Sequence, residues 1–159
     1  MLCLAVFFPI LFGLAMLVLP IKSRSQREWA VECVTIFTSL IVLLCVAEPS
    51  QKPSVAFMLM ENMPIAFTID GLGGVFAALI AFLWPLATLY GFEYMEHEGG
   101  ENHFFALYTI TYGVTVGIAT AANIMTMYIF YEFLSLCTLP LVMHGTSRES
   151  VKAGHQYMV

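Results

Sequence analysis

Apolar residues in this chain fall into long blocks rather than into a periodic stripe, and that arrangement decides what it can fold into. A helix needs about 20 apolar residues to cross a bilayer's hydrocarbon core. Five blocks approach that length: Met1–Pro20, Ala30–Ala47, Gly71–Phe92, Phe104–Ala122 and Ile124–His144. A soluble core would instead give stripes at helical or strand period. Composition agrees, because only 11% of residues are charged, against roughly a quarter in soluble domains. Mean hydropathy is +0.85. The expected fold is an all-α polytopic membrane protein in contact with the lipid bilayer, with five transmembrane helices and the start of a sixth. The first block lacks the preceding basic residues and following small-residue cleavage site of a signal peptide, so it reads as a span.

The segments between the blocks have their own chemistry. Residues 48–67 contain Pro49, Pro53 and Pro64 and are too broken to cross lipid, although Pro64–Asp70 reads as a short extended stretch. Asp70 is placed to cap the third span, where its carboxylate would accept free N–H groups and complement the helix dipole. That span carries Gly73, Gly74, Ala77, Ala78 and Ala81, small residues that permit close packing, and Pro85, which favours a kink. The fourth span has a Gly113-x-x-x-Gly117 face of the same kind. The final stretch, Thr146–Val159, is polar and then apolar, like the opening of a further helix.

Basic residues orient the spans. Lys22, Arg24 and Arg27 follow the first block and Arg148 and Lys152 follow the fifth, leaving Lys52 on the other side. The positive-inside rule then makes the Arg24 and Arg148 side cytoplasmic and places the N-terminus outside. The expected location is the plasma membrane of a prokaryote. The net charge of −5, without a basic cluster, argues against a nucleic-acid partner.

Glu132 stands alone near the middle of the fifth block. Burying a carboxylate at mid-bilayer costs about 2.5–3.5 kcal/mol on insertion scales, and such residues commonly mark ion or proton paths. Tyr128 lies four residues before it and Ser135 three after, so the three share one helical face. Hydroxyls beside a carboxylate can hold water and relay protons. The alternative is an acid kept protonated and tied to a neighbouring helix. None of the five blocks offers Glu132 a lysine or arginine, so a cationic partner must come from elsewhere.

Other polar groups have quieter readings. Tyr108, Tyr112 and Thr115 form a second polar face, equally suited to interhelical hydrogen bonding. Glu96, His97, Glu98, Glu101 and His103 fit none of the common zinc spacings and read as a solvated acidic loop, so no metal site is expected. Glu32, near the start of its span, can snorkel. Cys3, Cys33, Cys45 and Cys137 lie within apolar blocks and read as small buried hydrophobes. No phosphate-binding glycine loop, nucleophile elbow, haem motif or flavin motif is present, so no catalytic redox site or cofactor is expected within the chain.

Three motifs together carry a resemblance. Phe67-Thr-Ile-Asp70-Gly71-Leu72 resembles the Asp-Gly-Leu opening of the third helix in antiporter-like subunits of respiratory complex I and Mrp-type cation/proton antiporters. Phe130-Tyr131-Glu132-Phe133, followed by Pro140, resembles the aromatic-Glu motif of their fifth helix. Ser150-Val-Lys152-Ala-Gly-His-Gln-Tyr157 is similar to the basic, tyrosine-containing start of their sixth. The resemblance covers essentially the whole chain, which reads as residues 1–159 of a partial antiporter-like transmembrane domain.

The resemblance implies a function and partners. Glu132 would be the fifth-helix glutamate of a proton path, paired electrostatically with a lysine on a later helix. Such subunits contain about fourteen helices in two inverted five-helix repeats. This sequence stops before one repeat is complete, which reads as a fragment of a longer gene or a split subunit, the unfinished helix at Val159 favouring the fragment. The implied role is the N-terminal part of a proton- or sodium-translocating subunit of a complex I-, Mrp- or membrane-hydrogenase-like assembly. Its partners would be the other membrane subunits and the remaining helices of the parent, and any NADH:quinone oxidoreductase chemistry would belong to partner subunits. Two other readings stay open: a structural membrane subunit with Glu132 protonated, and an unrelated solute transporter.

Overall fold

A computed structural model describes residues 1–48, 53–60, 63–96 and 100–142. It contains five helices: α1 Leu2–Val18, α2 Arg24–Ala47, α3 Gly71–Met95, α4 Glu101–Ala119 and α5 Ile124–Val142. A hairpin of β1 Ser54–Met60 and β2 Met63–Phe67 joins α2 to α3. Three helices, α2, α3 and α5, are long and apolar enough to cross a membrane, and α1 is a shorter apolar helix. The expected opening of a sixth helix, with its Lys152–Tyr157 motif, lies outside the described residues.

Helix α4 is the centre of the bundle, with both faces buried. Glycines set its distance from α1. A Cβ on Gly113 would stand 2.5 Å from the Val6 carbonyl oxygen, and one on Gly13 would stand 2.5 Å from that of Ala106. Backbone therefore meets backbone at two levels of an antiparallel pair. Gly117 faces the ring of Phe130 on α5 instead, so the two ends of the Gly-x-x-x-Gly face serve different neighbours. Gly74, Ala77 and Ala81 form the buried side of α3, and the helix runs through Pro85 without ending.

The two ends of the bundle are fastened differently. At one end Arg24 pairs with Glu28 at 2.7 Å and Glu96 at 3.0 Å, and buried Arg27 pairs with Glu101. Asn102 ties the α1–α2 connection to α4, accepting from Ile21 N at 3.0 Å and donating to Met16 O at 2.9 Å. Two members of the acidic loop are thus drawn into ion pairs, which corrects the solvated-loop reading for Glu96 and Glu101; His97 and Glu98 lie outside the described residues. At the other end the hairpin docks on the α4–α5 turn. Thr68 N donates to Thr120 O at 2.7 Å and Ala122 N to Ala66 O at 2.9 Å. The strand β1 was not expected. Its partner β2 accommodates Pro64 beside a register shift, where the pairing is irregular and a ladder hydrogen bond is already interrupted.

One cysteine departs from expectation. Cys137 is buried and Cys3 and Cys45 are half-buried, but Cys33 is exposed on the outer face of α2.

Candidate functional site

Helix α5 starts from an asparagine cap. Asn123 Oδ1 accepts the N–H of Thr126 at 2.7 Å, while its Nδ2 donates to Pro64 O at 2.8 Å, so one side chain both starts the helix and holds it to β2. Thr126 Oγ1 accepts from Ala66 N at 3.2 Å, a second tie to the same strand. Thr126, Phe130 and Cys137 make the buried side of α5.

Phe130 fixes the rotation of the helix. Its ring meets Phe67 edge-on at 5.4 Å and Phe7 at 6.4 Å, and it covers Gly117. Such edge-to-face pairs add about 0.5–1.5 kcal/mol beyond area burial. Glu132 follows two residues later, which turns it about 200° around the axis from Phe130. The clamp that buries Phe130 therefore directs Glu132 away from the other four helices, and Glu132 is exposed in this chain.

Tyr128 shares that outward face and is 56% exposed. Ser135 is half-buried, and its hydroxyl donates to Tyr131 O at 3.2 Å on its own helix. The three residues are brought to one face, but no hydrogen bond joins them among the described residues. Tyr131, Phe133 and Leu136, at 59%, 39% and 67% exposure, complete a broad apolar border around the carboxylate. Pro140 contributes no N–H, so the Leu136 carbonyl loses its helical donor within the same region. A carboxylate on such a surface can hold a proton or pair with a cation once another element covers it.

At the start of α3, Asp70 Oδ1 accepts the Gly73 N–H at 2.5 Å. On α4, Tyr112 is fully buried and its hydroxyl lies 2.7 Å from Ser39 Oγ. Trp84 stacks on Tyr112 at 5.0 Å and meets the Tyr108 ring at a tilt, centroids 5.2 Å apart. Thr115 does not join them, since its hydroxyl donates to Thr111 O at 2.7 Å. Ser39, Trp84 and Thr88 had not been singled out in the sequence. The signal was present as Glu32, Thr35 and Ser39 on one face of α2 and Trp84 and Thr88 one turn apart on α3.

Comparison with known proteins bears out the resemblance read from the three motifs. A family model described as NADH-ubiquinone oxidoreductase (complex I), chain 5 N-terminus, matches residues 57–105. A chloroplastic NAD(P)H-quinone oxidoreductase subunit 5 from Ceratophyllum demersum is 29% identical over 143 residues, covering 83% of this chain and 19% of that protein. The counterpart from Pentatrichia integra is 25% identical over 144 residues, covering 84% and 19%. The chain thus spans about a fifth of the length of the curated relatives it matches. Among solved structures, a chain of the membrane-bound sulfane sulfur reductase, an archaeal respiratory membrane complex, superposes with a TM-score of 0.80 at 17% identity, over 99% of this chain and 33% of that one. A chain of respiratory complex I from Thermus thermophilus gives 0.75 at 23% identity, over 99% and 32%.

Proposed function

We propose, on the premise that this chain resembles the N-terminal portion of the antiporter-like membrane subunits, that it forms the first part of a proton- or sodium-translocating subunit of a respiratory-type membrane complex. Glu132 is its intramembrane ion-path carboxylate, with Tyr128 and Ser135 on the same face. The observation that carries this reading is the outward aim of Glu132. Three aromatic rings and two hydrogen bonds to β2 hold α5 in a rotation that leaves the acid uncovered by the other helices among the described residues.

The rest of the parent polypeptide would cover that face and supply a cation, such as a lysine. A cation close to Glu132 favours the ionised, proton-released state, and its withdrawal favours the protonated one. Ion movement is then electrostatic, and redox chemistry stays with partner subunits. All five helices cross the membrane in this reading, with the Arg24 end cytoplasmic and the N-terminus outside. The membrane is a prokaryotic plasma membrane or, as the plant relatives' chloroplast residence allows, another membrane that couples electron and ion transfer.

The test is ion uptake by vesicles containing the full-length parent in its complex. Glu132→Gln should assemble and carry electrons but lose ion uptake, and Glu132→Asp should retain part of it, because Gln keeps the shape yet cannot release a proton. Uptake measured separately for protons and for sodium identifies the ion. Wild-type uptake by the Gln variant would overturn the assignment and leave the structural reading of Glu132.

A further inference from the structure

Three short polar stripes converge inside the bundle, away from Glu132. On α2, Glu32, Thr35 and Ser39 recur at three- and four-residue spacing and share a face. On α3, Trp84 and Thr88 are one turn apart, and on α4 so are Tyr108 and Tyr112. Ser39 Oγ and Tyr112 OH are 2.7 Å apart, and Thr88 Oγ1 donates to Trp84 O at 2.8 Å. The Trp84 indole lies across both tyrosine rings.

Helices α2 and α4 run in the same direction, since Arg27 meets Glu101 and Ser39 meets Tyr112. The polar groups are therefore ordered along the bundle: the Arg27–Glu101 pair, then Glu32, then Tyr108, then Tyr112 with Ser39. Glu32 and Ser39 are separated by about 10 Å along the axis at 1.5 Å per residue. Glu32 is half-buried and has no ion-pair partner among the described residues. Arg24 is taken by Glu28 and Glu96, and Arg27 by Glu101. Glu32 Oε2, Thr38 Oγ1 and Trp84 Nε1 are buried polar atoms without a hydrogen-bond partner among the described residues. Native proteins seldom leave such atoms unsatisfied, and ordered water is their usual partner in a polar interior.

We propose that Glu32 is a second proton-binding carboxylate, which takes protons from water at the Arg24–Arg27 end and passes them towards the Tyr108 hydroxyl and the Tyr112–Ser39 hydroxyl pair. The proposal rests on the reading of this chain as part of a proton-translocating subunit. In the transfer, the Glu32 carboxyl O–H breaks as its proton joins a hydroxyl or water oxygen, and that oxygen releases its own proton onward. No other bond changes and no oxidant is needed.

The experiment compares proton uptake by vesicles containing the full-length parent complex as wild type, Glu32→Gln, Glu32→Asp, Tyr108→Phe and Glu132→Gln. It is paired with labelling of the wild type by a lipid-soluble carbodiimide, which reacts with protonated carboxyl groups and is located by peptide mapping. Assembled Glu32→Gln and Tyr108→Phe should lose most of the uptake rate, Glu32→Asp should recover part, and label on the α2 peptide should rise in step with inhibition. Wild-type uptake by Glu32→Gln overturns the inference. If Glu32→Gln does not assemble, labelling decides: a labelled Glu32 with lost uptake supports the inference, and an unlabelled Glu32 overturns it. Loss of uptake in Glu132→Gln alone sinks this inference and leaves the proposed function standing, whereas wild-type uptake by Glu132→Gln removes that function itself.

Discussion

Replacing Gly113 with alanine adds one methyl group where the backbones of α1 and α4 meet, and the structure states what that methyl must displace. Its Cβ would lie 2.5 Å from Val6 O, 2.7 Å from Ile10 Cγ1 and 2.9 Å from Pro9 Cγ. An ordinary carbon–oxygen contact is about 3.3 Å, so α1 must retreat by roughly 0.8 Å. The first obstacle is backbone, which cannot rotate aside. A gap of 0.5–1 Å forfeits about a quarter to a half of each dispersion contact along the seam, including those around Gly13. Overpacking of this kind costs about 1–3 kcal/mol, and alanine's helical advantage over glycine returns about 0.5–1 kcal/mol. The net destabilisation centres on about 1 kcal/mol, a roughly 5-fold shift toward the unfolded form. Gly71 supplies the control, because a Cβ there meets nothing within 4 Å. Reversible unfolding of the full-length parent in mixed micelles should show Gly113→Ala destabilised and Gly71→Ala within about 0.5 kcal/mol of wild type. Equal stabilities would refute the claim that glycine sets the α1–α4 distance.

Two further outcomes follow from the ends of the bundle. Glu101→Gln leaves the buried Arg27 guanidinium without its counter-charge and should destabilise the fold by about 3–5 kcal/mol, while the double change Arg27→Met, Glu101→Met should recover most of that loss; unfolding midpoints of the single and double variants check it. Single cysteines replacing Ser25 and Met58 should be labelled by an impermeant thiol reagent from opposite membrane faces, Ser25→Cys from the cytoplasmic one, and labelling of both from one face would contradict the proposed topology.

Helix positions were legible in the sequence because lipid demands long apolar runs and each run is closed by proline, asparagine or charge. The face of Glu132 was legible too, since spacing alone puts Tyr128, Glu132 and Ser135 together. The absolute direction of that face was not. It depends on Phe7 and Phe67 closing around Phe130, contacts between residues far apart in the chain. The same limit hid the Arg27–Glu101 and Arg24–Glu96 pairs, because each acidic and basic segment taken alone reads as solvated. Strand β1 escaped notice because its pairing with β2 has irregular register, with shifts between Val55 and Phe57 and between Met58 and Met60, so it lacks clean alternation. Val114, the bulky neighbour of Gly113, is fully buried because α4 is surrounded by other elements.

If Glu132 gains and loses a proton as the parent subunit works, its own carboxyl group can report it. Time-resolved infrared difference spectroscopy of the full-length complex during electron transfer, with Glu132→Gln as the assignment control, observes the protonated carboxyl band directly. The account predicts a band that rises and decays with turnover, shifts in heavy water and is missing from the Gln variant. A Glu132 carboxyl band that stays constant throughout turnover, in a complex that pumps normally, would contradict it.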